Sequence, residues 1–472
     1  MQRVSVQDLV LATRGRPRGV DLGVFVDRVS IDSREVRSGD VFWALQGETH
    51  DGHNFTTEAL NRDASLCVIS ETHAESITGP ALIVDDTLGA LGRFADWYRG
   101  QTDSLVIGVT GSVGKTTTRE LIYSALSSQF PGIRSRSNFN NEIGLPLTLL
   151  EMDPLHEFAV VEMGASRRGD IRRLCEIARP EIGVVTAIGS AHMRTFGSLN
   201  AIIETKGELL ENLPSTGFAV LPGDDRILRQ MADRATCPVI FVGQSDDCHL
   251  QATDIEVHTR SLRFRCVGEA FSVPVTGRHS LSNALCAIAV GLEIGIHPHL
   301  LATGLSHFEP VPGRCGIIQI GQWTVVDDTY NASPLAVQAA CRLLQELVIP
   351  GSSQRFLILG DMCELGDLAV VEHEAIGRLV AWLQLDRLLV CGNHADDVAR
   401  GAARSGMNPH QIVATSNIET LLAMLDCWLE PNVVLLVKGS RATRMERVIE
   451  WLKVRSLADD RWDQFERRRN CA

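Results

Sequence analysis

No run of about 18 consecutive apolar residues, the length a membrane-spanning helix requires, occurs anywhere in the sequence. The N-terminus, MQRVSVQDLVLATRGRPRG, also lacks the apolar core of a secretory signal. No membrane insertion and a cytoplasmic location are therefore expected. Positive charge is scarce: 45 Lys and Arg stand against 58 Asp and Glu, a net charge of −13. That is the wrong sign for the broad field that non-specific nucleic-acid binding needs, so no nucleic-acid partner is expected, although a locally basic pocket can still hold an anion. The 12 cysteines stand singly from Cys67 to Cys471 with no Cys-x-x-Cys pair, many of them inside apolar runs. Reduced core thiols fit this better than zinc ligands or disulfides. Repeats of solenoid period and low-complexity tracts are missing too.

What is there is an ordinary globular composition, 44% apolar and 22% charged, which excludes disordered and fibrous classes. At 472 residues the chain is about three times the usual single domain. Its patterning gives an α/β fold in three parts. Residues 1–86 hold short mixed strands punctuated by Gly39-Asp40, Gly47 and Asp51-Gly52, a small α/β unit. Residues 87–314 begin with a helical stretch at 88–100. Continuous apolar runs follow at 104–110, 158–163, 182–188, 218–222 and 239–243, separated by helical segments, the signature of a parallel sheet covered on both faces. The last helix of this part is expected at 279–295. After the turn-rich FEPVPGRCG at 308–316 the alternation restarts, so residues 315–472 are expected to form a Rossmann-like α/β domain whose tail beyond 455 is frayed or solvated.

The sharpest signal is GVTGSVGKTTT at 108–118, between an apolar strand and a helix. Small residues at Gly111, Ser112 and Gly114 let successive backbone N–H groups turn toward one anion, and the helix adds its positive N-terminal end. Lys115 can reach the β- and γ-phosphates of a nucleotide, and the Thr116 hydroxyl can hold Mg²⁺. The loop is a variant, because a strict G-x-x-x-x-G-K-[ST] match would have glycine where Val109 stands.

Two further residues lie near the expected sheet edge, and a third stands out on a helix. Glu162 ends an apolar run at the carboxyl end of a strand, where open α/β sheets bind ligands, and can hold Mg²⁺ or stand as a solvated carboxylate. His192 follows another such strand; alone, a histidine there is more often a structural or surface residue. Lys206 sits in the apolar stripe of its helix, among Ile202, Ile203, Leu209, Leu210 and Leu213. A buried ammonium must find an anion, snorkel to the edge or lose its proton. A neutral lysine amine can also add CO₂ to become a carbamate, whose oxygens suit a hard cation.

With SIDSREVRSGDVFWAL and DGHNF near the start, TGSVGKTTT, NFNNEIGLPLTLL, EMGAS, GSAHMRTFGS, KGE and GRHSLSNALCA in the middle, and VPGR, VVDDTYNASP, LGDMCELGD and VKGSRATRME after them, the chain resembles the Mur ligases over nearly its full length. Within them it is most similar to the branch that adds D-alanyl-D-alanine to UDP-N-acetylmuramoyl-tripeptide in peptidoglycan synthesis. The resemblance implies a small N-terminal UDP-binding domain, a central P-loop domain and a Rossmann-like C-terminal domain, acting as a monomer. It implies an amide ligase in which ATP phosphorylates the peptide carboxylate and the amine of the dipeptide displaces phosphate.

Site residues are carried over from the same likeness. Lys115, Glu162, His192 and Lys206 are the expected catalytic set. Thr110, Gly111, Ser112, Val113, Gly114, Lys115, Thr116 and Thr117 would cradle ATP, with His279 and Asn283 beside it and Arg314, Asp328, Tyr330 and Asn331 on its far side. Asp327 and Asp328 are strand neighbours, so at most one faces the site. Thr116 and Glu162 would hold one Mg²⁺, and His192 with a carbamylated Lys206 a second. Ser33, Arg34 and Asp51 would meet the UDP-sugar, Asn140 and Asn141 the substrate, and Lys438, Ser440 and Arg441 the peptide or dipeptide. The chain departs from many relatives at Ser166-Arg167-Arg168, which stands where Asn-His-Pro is common, and at Ser137, which replaces a common glycine. Two other readings stay open: another amino-acid ligase of the superfamily, adding the third peptide residue or glutamate to folate, and an ATP-gated regulator that ligates nothing. The third-residue ligases usually carry Asp-Asn-Pro-Arg in the third domain, which this sequence lacks.

Overall fold

The computed structural model describes residues 1–47, 49–136, 138–190, 192–352 and 354–457; Ser137 and the tail beyond 457 lie outside the described residues. The fold is α/β throughout, built on three main sheets. In the first, strands Arg16–Arg18, Ala81–Val84, Leu66–Ser70, Asp40–Trp43 and Arg28–Ser30 lie side by side in that order, parallel except for the first pair. The helix Thr87–Arg99 follows, capped by Asp86, whose carboxylate accepts the N–H groups of Leu88 and Gly89.

The second sheet has seven parallel strands, with Leu105–Thr110 between Ile182–Val185 and Phe158–Glu162 near its middle. Its strands are apolar on both faces because both faces are covered. Val106, Ala159 and Val161 pack into one core, while Ile107, Val109 and Val160 pack into another on the opposite side. Each such fully buried Val or Ile side chain contributes about 1.5–3 kcal/mol of transfer free energy. The helices Lys115–Leu126 and Leu281–Glu293 lie on the second of these faces.

Two elements differ from the sequence reading. The helix at 279–295 begins later, at Leu281, and is not the last of its part. A further helix, Pro298–Ser306, follows it, entered through His297 with Pro298 at the first position, where a missing N–H costs nothing. Strands Thr253–Val257, Leu262–Cys266 and Glu269–Val273 form a separate three-stranded antiparallel sheet. Its middle strand, LRFRC, alternates buried and exposed residues, a period-two pattern that a search for continuous apolar runs passes over.

The third sheet runs Gly316–Ile320, Trp323–Asp328, Val434–Lys438, Arg355–Gly360, Arg387–Cys391, Ile412–Thr415, parallel except for its first strand. Residues 446–457 are helical and pack Val448, Ile449 and Leu452 under this sheet. Among the described residues no helix is long and apolar enough to cross a membrane. The carboxyl ends of the second and third sheets meet around a shared cavity of about 430 Å³. That volume lies within the range of small-molecule sites.

Candidate active site between two sheets

Strand Leu105–Thr110 carries the chain from the core into the glycine-rich loop. Its turn is fixed from the neighbouring strand. The Ser112 N–H donates to the Ala187 carbonyl at 2.7 Å, and the Thr186 hydroxyl donates to the Val113 carbonyl at 2.5 Å. Gly114 has φ +90°, and a Cβ there would stand 2.8 Å from Asn283 Oδ1, so both conformation and space require glycine. Asn283 is held by the Thr118 hydroxyl at 3.1 Å. The helix Lys115–Leu126 starts with no side-chain cap, leaving the N–H groups of its first turn for an anion. Lys115 donates to the Gly111 carbonyl at 2.9 Å, folded back over the loop. Burial lowers its pKa, opposed by the nearby Glu162 carboxylate.

Glu162 is the hub beside the loop. It is 4% exposed, and its carboxylate accepts from Thr116 Oγ1 and Asn140 Nδ2, each at 3.0 Å, and from Arg119 at 3.3 Å. Burial alone would raise its pKa, but Lys115, Arg119 and these hydrogen bonds hold it below the ordinary carboxylate value. Glu162 is thus ionised beside a hydroxyl, the donor set a hard divalent cation takes. Asn140, expected at the substrate, here orients Glu162. Asn141 is turned away: its side-chain oxygen accepts the N–H groups of Ile143 and Gly144 at the start of the next helix. Arg119 was missed by the sequence reading. Its signal was its spacing, one helical turn after Lys115 and Thr116 and so on their face.

Lys206 lies inside the helix Leu199–Glu211 and is 3% exposed. Burial, reinforced by the charge of Lys115, pushes its pKa down to about 7, against the pull of Asp170, Glu162 and Glu208. Among the described residues no hydrogen bond is made by its ammonium. Glu208, on the same helix, is committed to the N–H groups of Gly169 and Arg172. A buried amine without a hydrogen-bonded counter-charge, much of it neutral near pH 7, fits the amine that adds CO₂. His192 lines the cavity with φ +54°, and its Nδ1 meets the Glu364 carboxylate of the third sheet's loops. Burial lowers its pKa, while Glu364 works against that.

From the other side of the cavity, Arg314 reaches across to Thr116 Oγ1 at 3.4 Å, its guanidinium stacked 3.8 Å over the Tyr330 ring. His279, Asn283, Asp328, Tyr330 and Asn331 line the same space with residues 112–117. The expectation for the aspartate pair holds in detail: Asp328 faces the cavity, while Asp327 accepts the N–H and hydroxyl of Thr329. Much of the KGSR stretch is engaged within the protein. Lys438 lines the cavity but is 2% exposed, and its ammonium donates to Asp328 and to the Asn331 carbonyl. Ser440 is buried, donating to the Ala332 carbonyl and accepting the Cys363 N–H. Both stitch the loops of the third sheet together, Lys438 as the ladder partner of Asp328 on the adjacent strand and Ser440 just beyond it. Arg441 alone of the three is exposed, 3.6 Å from Glu446.

The first sheet keeps its candidates apart from this cavity. Ser33 is buried and donates to Glu58 at 2.8 Å, while Arg34 is exposed and pairs with Asp32. Asp51 caps the turn Gly52–Phe55 and accepts from His53 Nδ1 at 2.6 Å. The Ser70 N–H is an obligate donor and bonds His53 Nε2 at 3.0 Å, which places the His53 proton on Nδ1. His73 stacks on His53 with ring centroids 4.0 Å apart and lies 3.4 Å from Asp51. The three groups converge as a metal set would, but each imidazole already has protein partners at both nitrogens.

Comparison with known proteins bears on all three parts. The Mur ligase family catalytic domain matches residues 26–98, the Mur ligase middle domain 109–291, and the Mur ligase glutamate ligase domain 313–441. The UDP-N-acetylmuramoyl-tripeptide–D-alanyl-D-alanine ligase of Synechocystis is 37% identical over 431 residues, covering 90% of this chain and 92% of that protein. The ligase of the same name from Escherichia coli is 33% identical, covering 96% and 99%. Among solved structures, MurF from Acinetobacter baumannii superposes with a TM-score of 0.88 at 30% identity, covering 96% of this chain and 99% of that one. MurF from Thermotoga maritima in complex with ADP gives 0.80 at 31%, covering 92% and 99%. A ligase for 2,6-diaminopimelate and a folylpolyglutamate synthase share the fold alone, at 18% and 17% identity. The chain belongs to the Mur ligase family.

Proposed function

We propose that this protein is an ATP-dependent amide ligase that joins D-alanyl-D-alanine to UDP-N-acetylmuramoyl-tripeptide, giving the UDP-muramyl-pentapeptide, ADP and phosphate. The observation that carries the reading is the contact of Arg314 with Thr116, itself bonded to Glu162, in a cavity lined by residues of both the second and the third sheet's parts, in a chain similar end to end to ligases of that name. In this reading residues 1–86 bind the UDP-sugar through Ser33, Arg34 and the Asp51 turn, residues 87–314 bind ATP, and residues 315–472 present the dipeptide, with Arg441 the exposed member of its motif. The protein works as a cytoplasmic monomer.

Each residue then has a physical task. The free N–H groups of the loop and Lys115 offset charge on the transferring phosphoryl group, and Arg314 approaches it from the opposite side. Thr116 and Glu162 would hold one Mg²⁺, and His192 with Lys206 as its carbamate a second; the ions supply further neutralisation of phosphate charge. The carboxylate of the tripeptide attacks the γ-phosphorus, releasing ADP and leaving an acyl phosphate. The dipeptide amine then adds to that carbonyl, and collapse of the tetrahedral adduct expels phosphate. Apposition of the two sheets excludes the water that would otherwise hydrolyse the acyl phosphate.

The test is ADP release by purified protein with Mg²⁺, ATP, the UDP-muramyl-tripeptide and D-alanyl-D-alanine, omitting each substrate in turn and weighing the product. Dependence on both, with a pentapeptide product, is the expected result. ADP release indifferent to both would overturn the reading.

A further inference from the structure

Beyond the cavity walls, loops of the second and third sheets meet at a small, specific contact. The loop after strand Arg355–Gly360 lays Glu364 against the segment 192–194: its carboxylate meets His192 Nδ1, and its carbonyl accepts the Arg194 N–H at 2.9 Å. Two residues on, a Cβ at Gly366 would stand 3.3 Å from the Arg194 backbone. His192 and Glu364 both hold left-handed backbone, φ +54° and +65°, which residues with side chains rarely adopt unless their surroundings impose it. The loop is pinned from behind, since Ser440 accepts the Cys363 N–H at 2.8 Å and His373 accepts the Met362 N–H at 3.0 Å. Glu364 is therefore a presented group rather than a wandering surface carboxylate.

A carboxylate only accepts, so the His192 proton sits on Nδ1 and the lone pair on Nε2. This is the arrangement in which a carboxylate behind a histidine fixes its tautomer and aims its other nitrogen at a metal. We infer that Glu364 is a positioning residue for the second metal site: supplied by the third sheet, it orients His192 on the second, so that the site is complete only when the two are docked. The inference rests on the reading of His192 as a metal-holding residue and adds a component that neither sheet contains alone. Nothing in the sequence pattern near His192 points to it, because the partner lies 172 residues away.

The test counts Mn²⁺ by electron paramagnetic resonance, using the full chain with a non-hydrolysable ATP analogue and no peptide substrate. Wild type is expected to take up two ions. Glu364→Ala should weaken the second ion by ten- to a hundredfold, leaving the first and the nucleotide affinity unchanged. Glu364→Gln, which keeps an acceptor for Nδ1, should recover most of that loss, as a merely structural role would not require. Equal binding of both ions by wild type and Glu364→Ala would overturn the inference. Retention of both ions by His192→Ala, or a wild type that binds only one, would instead overturn the metal reading beneath it.

Discussion

Lys438 and Asp328 are register partners on adjacent parallel strands, and the lysine Nζ lies 2.5 Å from Asp328 Oδ2 with both side chains almost fully buried. The pair closes the back of the cavity, and Lys438 also holds the Asn331 carbonyl. Removing one charge of such a pair leaves the other uncompensated, which typically costs about 3–5 kcal/mol. Lys438→Met should therefore lower the unfolding free energy of the third sheet by that order, read as a fall in its urea midpoint, and Lys438→Met with Asp328→Asn should recover much of it. An unchanged midpoint in the single variant would show that the pair is not structural.

Gly114 sits where a side chain meets both a left-handed backbone and Asn283. Gly114→Ala should push the loop off Asn283 and misdirect the N–H groups that face the phosphates. ATP affinity is expected to fall at least tenfold, read by calorimetry, with little change in unfolding because the loop lies at the sheet edge. Lys115→Ala, which leaves the loop's course intact, should instead retain much of the binding and lose acyl-phosphate formation in rapid-quench experiments.

Lys206 offers a chemical signature. With its pKa pushed to about 7, a large share of the amine is free to add CO₂ at neutral pH. Wild type equilibrated with ¹³C-bicarbonate should show a carbamate carbon resonance that Lys206→Ala lacks. That variant should lose ligation by on the order of a hundredfold, with partial recovery by short-chain carboxylates that supply the missing oxygens. Near-normal turnover without them would remove Lys206 from the metal site.

Most of this was legible in the chain itself, for reasons that can be traced. The strands around Thr110 and Glu162 are apolar on both faces, and continuous apolar runs punctuated by glycine admit few other folds. Lys206 stood out because a charge in an apolar stripe demands an explanation, and the structure buries it as the spacing required. What stayed hidden depended on distant partners. The burial of Lys438 and Ser440 is invisible in the chain, because Asp328 and Ala332 come alongside them only in the fold. The bond of Asn140 to Glu162 was equally out of view, because it spans 22 residues. The antiparallel sheet at 253–273 escaped because its period-two pattern is short and half exposed.

His373 makes the loop that presents Glu364 sensitive to acid. It is fully buried, accepts the Met362 N–H on Nε2 at 3.0 Å and bonds the Ala369 carbonyl through Nδ1 at 2.7 Å. Adding a proton would set an N–H against an N–H. Burial lowers its pKa, the stacked His394 ring adds to this, and the Ala369 carbonyl and Asp361 only partly oppose it. The unfolded chain, with a value near 6.5, then binds the proton first as pH falls. The stabilisation is fully present above the unfolded value and is lost as pH drops through the lower, folded one, at no more than about 1.4 kcal/mol per pH unit for one group. His373→Gln, which keeps an acceptor for Met362, should be less stable than wild type at neutral pH but lose less on acidification, so that the two stability curves converge below the ordinary histidine range. Parallel curves would show that His373 titrates alike in both states. Because Met362 and Cys363 lead directly to Glu364, the same acidification should weaken the second Mn²⁺ in wild type more than in His373→Gln.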